Sequence, residues 1–98
     1  MLPSGSHILE EILDERARQE RLREAGKFTH TAASPDDAKF SDGWRLAALV
    51  EEVGEAAEAA LERAGFIGKP KGKDLRAELI QVAAVCVAWI ERLDKDGA

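Results

Sequence analysis

Apolar residues recur at spacings of three and four over three long segments and almost nowhere alternate with a period of two, so the sequence predicts an all-α fold. The first helix is expected from Ser6, a capping residue type, through Ile8, Leu9, Ile12 and Leu13 to the helix-ending Gly26. The second starts at Ser41 or Asp42, either of which can cap, and stops at Gly65. The third follows Asp74 and runs to about Asp94, leaving Lys95 to Ala98 as a fraying tail. Between the first two, Ser34-Pro35-Asp36-Asp37 has the form of a helix start, with Ser34 as cap and Pro35 at the first position, and marks a candidate short helix.

The patterning differs among the three. In the first, Glu15 to Glu24 is densely charged with mixed signs, Glu20 standing near Arg16 and Arg23, which reads as a solvated helix face. In the second, an advance of about 100° per residue puts Leu49, Val53, Ala56, Ala57 and Ala60 on one side and Glu51, Glu55, Glu58 and Glu62 on the other, with Glu52 at the flank. The third is apolar almost all round from Leu79 to Ile90, interrupted by Gln81. A helix of that kind sits inside something, and so few helices cannot surround one of their own. The expectation is therefore a helical bundle whose core is completed by a second copy, as a homodimer or a tetramer, with Trp89, Ile90 and Leu93 in core or interface. The same apolar run falls short of the roughly 20 residues a membrane span requires.

Length and composition narrow the classes further. Ninety-eight residues make one domain, 1–98, of which residues 1–6 read as a flexible tail or vector-derived scar. The formal charge of -5, from 19 acidic and 14 basic residues, argues against nucleic acid as a partner and is compatible with binding cations. A lone cysteine, Cys86, can form neither an internal disulfide nor a cysteine zinc site. With no basic segment leading into an apolar one at the amino terminus, the expected location is the cytoplasm.

Candidate chemistry lies in the carboxylates. Glu51/Glu55, Glu55/Glu58 and Glu58/Glu62 are like-charged neighbours, and no Lys or Arg occurs within Val50 to Leu61. A solvated acidic face accounts for this, since glutamate forms helices well. The competing account is a divalent-cation site, because hard cations want several oxygen ligands and successive helical turns can aim carboxylates at one point. Glu78 approaches that face if the second and third helices pack antiparallel, with Gln81 nearby either as a satisfied buried amide or as part of the site. The connection Gly65 to Lys73 carries Lys69, Lys71 and Lys73 but lacks the spacing of a phosphate-binding P-loop.

At these residues the chain resembles the MazG-like nucleoside triphosphate pyrophosphohydrolases, an all-α family. The family pattern of Glu-Glu-x-x-Glu on one helix and Glu-x-x-Asp on the next reads here as Glu51-Glu52-Val53-Gly54-Glu55 and Glu78-Leu79-Ile80-Gln81. The stretch from Ala77 to Glu91, and Glu15-Arg16-Ala17-Arg18-Gln19 upstream, are similar to a small, phage-type branch of it. The resemblance implies hydrolysis of an NTP or dNTP to the monophosphate and pyrophosphate, with Mg²⁺ as cofactor and Mn²⁺ as a substitute, by a dimer or larger assembly. It assigns Glu51, Glu52, Glu55 and Glu78 to the metal and Glu52 or Glu55 to proton transfer from water. Gln81 stands where the pattern has Asp, removing a charge and a base. Lys69, Lys71 and Lys73 are candidates for the triphosphate with surface solubility as the alternative, Arg16 and Lys27 are weaker ones, and Gln19 either reads a base edge or is exposed helix polarity. The alternative function is a noncatalytic helical interaction module of the same fold.

Overall fold

A computed structural model describes residues 5–25, 42–66 and 72–97, the side chain of Arg23 excepted. It contains three helices, α1 (Ser6–Glu24), α2 (Asp42–Arg63) and α3 (Leu75–Lys95), and no strand among the described residues. The short helix expected at Ser34 lies outside them.

The helix ends follow from local chemistry. At the close of α2 the Phe66 N–H reaches the Leu61 carbonyl at 2.9 Å and the Gly65 N–H reaches that of Glu62 at 3.1 Å, the paired bonds of a Schellman cap. That cap needs a left-handed residue, and Gly65 has φ of 80°. α3 begins where the Asp74 side chain accepts hydrogen bonds from the N–H groups of Arg76 and Ala77, satisfying two otherwise orphaned donors.

α3 is the central element. Both α1 and α2 pack on it, while among the described residues no Cα of α1 comes within 8 Å of one in α2. α2 and α3 run antiparallel, as two contacts at opposite ends show. The Trp89 indole N–H donates to Asp42 Oδ1 at 2.9 Å, and the Lys73 backbone N–H donates to Glu62 Oε2 at 3.1 Å. α1 is tied to α3 by Arg76, which donates to both oxygens of Glu11, and by Arg16, whose Nε donates to Glu91 at 2.7 Å.

The buried apolar residues are small: Ala56, Ala59, Ala84, Val85 and Ala88, with Ala59 and Ala84 at 1% and 0% exposure. Short side chains let neighbouring helices approach closely. The apolar side of α2 expected from the sequence is thereby divided. Ala56 is buried and Leu49 half-buried, but Val53, Ala57 and Ala60 are exposed, and the packed stripe turns instead toward Arg45, Glu52, Ala56 and Ala59. The reason is width: α2 carries apolar residues over a broader arc than one neighbouring helix can cover. A second stripe, Leu46, Val50, Val53, Ala57 and Ala60, remains on the surface with alternating spacings of four and three. On α3 the same limit leaves Leu79 and Ile90 more than half exposed, while Trp89 and Leu93 are half-buried.

The charged half of α1 also departs from a purely solvated face, since Gln19 is buried and Glu15, Arg16 and Glu20 are half-buried against α3. No helix among the described residues is long and apolar enough to cross a membrane.

Candidate metal centre

Glu52 and Glu55 lie one turn apart on α2, and Glu78 lies in the first turn of α3. The antiparallel seam brings them together, so that one carboxylate oxygen from each falls within 4.8 Å of the others. Glu78 is only 9% exposed. Glu52 Oε2 and Glu78 Oε2 are both buried without any hydrogen-bond partner. Buried acceptors are ordinarily satisfied, and leaving one bare costs about 1–3 kcal/mol, more when it is charged.

The electrostatics record the crowding. Burial pushes the Glu52 carboxyl from 4.5 up to about 7, helped by the negative charges of Glu55, Glu78, Glu51 and Glu15. The Glu78 carboxyl is also held above its ordinary value, by burial first and by Glu55 next, with the Lys73 ammonium opposing. Three carboxylates this close cannot all ionise cheaply without positive charge among them. A hard divalent cation fits the donor set, because it accepts carboxylate oxygens and would supply the partner that the two bare oxygens lack.

The remaining residues singled out from the sequence fall in different places. Glu51 is exposed and acts on Glu52 through its charge without joining the three converging oxygens. Gln81, one turn beyond Glu78, is half-buried and lines a cleft between α1 and α3. Lys73 is half-buried near Glu78, whereas Lys69, Lys71 and Lys27 lie outside the described residues. Arg16 is engaged by Glu91 and by Glu20 at 2.9 Å, a clamp between α1 and α3. Gln19 is not exposed polarity: it is 8% exposed and donates to Glu15 Oε2 at 3.1 Å. Its partner sits one turn back on the same helix, which keeps the amide satisfied when α3 covers it.

Two residues given no role from the sequence emerge here. Glu15 accepts from Arg18 through both oxygens, at 2.7 and 2.6 Å, and its charge bears on Glu52. Arg18 is thereby held on the α1 side of the carboxylates. In the sequence the pair is one of several opposite charges three or four positions apart, and nothing local sets it off. Compared with family models, curated proteins and solved structures, the chain gives no match to any of them.

Proposed function

We propose that this chain is a Mg²⁺-dependent nucleoside triphosphate pyrophosphohydrolase, cleaving an NTP or dNTP to the monophosphate and pyrophosphate as a homodimer or larger assembly in the cytoplasm. The observation that carries the reading is the pair of buried carboxylate oxygens, on Glu52 and Glu78, left bare within a cluster of three glutamates from two helices. The likeness of Glu51-Glu52-x-x-Glu55 and Glu78 to the MazG-like pattern supports it, and so does the kind of chemistry the reaction asks for, which is mainly charge neutralisation and placement of a water.

Glu52, Glu55 and Glu78 would hold the ion, with Glu51 adding negative potential from outside. An ion held there would offset phosphate charge and lower the pKa of a bound water. Glu52 or Glu55 accepts the proton of the attacking water. The Gln81 amide can orient a water or a substrate oxygen but takes no proton at neutral pH. Lys73, whose charge already reaches Glu78, faces the phosphates, with Lys69 and Lys71 in the same connection.

The assembly is supported by the exposed stripe of Leu46, Val50, Val53, Ala57 and Ala60, since large apolar surface at heptad spacing is a seam for another helix. That stripe also favours a second reading, an association module without catalysis, to which Gln81 lends weight. A panel of standard, deoxy and modified nucleoside triphosphates under metal titration separates the two. Pyrophosphate release from at least one of them, only with Mg²⁺ or Mn²⁺, is expected. Silence across the panel leaves the association module.

A further inference from the structure

We infer that the cleft between α1 and the first half of α3 seats the phosphate chain of the substrate, gripped by Arg18 and Arg21; this deepens the pyrophosphohydrolase reading and rests on it. The cleft is an open one of about 450 Å³, a volume within the roughly 300–1,000 Å³ of sites that take small molecules. Its α1 wall carries Arg18 and Arg21, three positions apart and so on one face of the helix. Its α3 wall is Ala77, Ile80 and Gln81.

The cleft adjoins the carboxylate cluster. Gln81 is one turn beyond Glu78, and Glu15, which also lines the cleft, is near enough for its charge to act on Glu52. A polyphosphate held at one end by a cation on Glu52, Glu55 and Glu78 therefore meets the two arginines along α1. Arg18 is set up to receive it. Its Nε and Nη2 are fixed on Glu15, itself steadied by Gln19, and Nη1 is left outside that pair. Arg21 is exposed and makes no ion pair with another described residue. Guanidinium groups suit phosphate because their planar fork matches its oxygens.

The charges on the walls add a condition. Glu11, Asp14, Glu15 and Asp74 line the same space, and the third arginine there, Arg76, places both Nη atoms on Glu11, whereas Arg18 keeps Nη1 outside its pair. Acids outnumber bases, so a bare polyanion is repelled and binding requires the divalent ion.

Calorimetric titration of the full chain with inorganic tripolyphosphate tests this. Binding is expected in Mg²⁺ and lost in EDTA. Arg18→Gln and Arg21→Gln should each weaken it roughly tenfold, the loss of one charge-assisted contact, and should raise the KM for the nucleotide to match. Arg18→Lys recovers part of the loss, since it keeps the charge without the fork. Arg92→Gln, whose side chain pairs with Asp96 away from the cleft, binds as the parent does. Both substituted arginines are exposed, and circular dichroism verifies that the helices persist. Parent-like binding by the Arg18 and Arg21 variants, or undiminished binding in EDTA, overturns the inference while metal uptake and hydrolysis by the parent leave the pyrophosphohydrolase reading standing. A parent that takes up no Mg²⁺ overturns both.

Discussion

Glu52 on α2 and Glu78 on α3 each contribute an oxygen to the same carboxylate cluster, and each buries an Oε2 that meets no donor. With Glu52 titrating at about 7 instead of 4.5, the folded chain retains a proton that the unfolded chain has already released. The contribution of Glu52 to the stability of the metal-free protein is therefore most favourable below about pH 4.5, declines as the pH rises to about 7, and is level above that. Thermal melts in EDTA should show this fall, and millimolar Mg²⁺ should restore stability at about pH 8 far more than at about pH 5. A melting temperature in EDTA that climbs through neutrality contradicts the assignment.

Removing the charge should separate stability from function. Glu52→Gln is expected to raise the melting temperature of the metal-free protein at about pH 8, by a few degrees, because the repulsion and the cost of burying an ionised group disappear together. The same variant, and Glu78→Gln, should lose the response to Mg²⁺ and at least about 100-fold in pyrophosphate release, the scale of a positioned proton acceptor or charge-stabilising group. If both keep parental turnover, these side chains are not the site.

Gln81 allows a test in the opposite direction. Gln81→Asp adds a carboxylate one turn beyond Glu78, and a higher rate with tighter Mg²⁺ binding is the expected result, measured in the same coupled assay. An unchanged affinity for the ion would place residue 81 outside its coordination sphere.

The exposed stripe on α2 makes a prediction about mass. Val50→Asp or Val53→Asp puts charge into a seam that association would bury, so light scattering should move from two or more chains to one, with helicity retained. A parent protein that scatters as a monomer removes the stripe's assigned role.

Asp74 links folding to the site. It caps α3 one turn before Glu78, so Asp74→Ala should cost about 1 kcal/mol in a denaturant melt and also weaken Mg²⁺ uptake as the first turn frays. Losing stability with no change in uptake would mean that the turn carrying Glu78 is held by its packing alone.

Much of this was legible in the chain itself. Helix positions followed from spacing, and their ends from Asp74 and Gly65, whose roles are local and depend on no distant neighbour. Glu52, Glu55 and Glu78 were named through the resemblance, with Glu51 beside them, whereas spacing by itself set Glu51, Glu55, Glu58 and Glu62 on one face and left a solvated surface as the alternative. What stayed hidden depended on how the helices rotate against each other. Glu51 and Glu52 differ by one position, about 100°, and only the placement of α3 decides which one points inward. For the same reason Val53 read as core and proved exposed, and Gln19 read as surface and proved buried. Arg18 was noted only within the stretch that resembles the family and Arg21 not at all, because arginines in a mixed charge run look alike until a cleft selects two of them.

The buried apolar side chains of α2 are the methyl groups of Ala56 and Ala59, and this gives the acidic cradle a mechanical character. Ala59 is almost fully enclosed, so a larger side chain there would have to push its neighbours aside. Ala56 and Ala59 share a helix with Glu52 and Glu55, so the depth at which these methyl groups seat α2 also fixes where its two carboxylates are held.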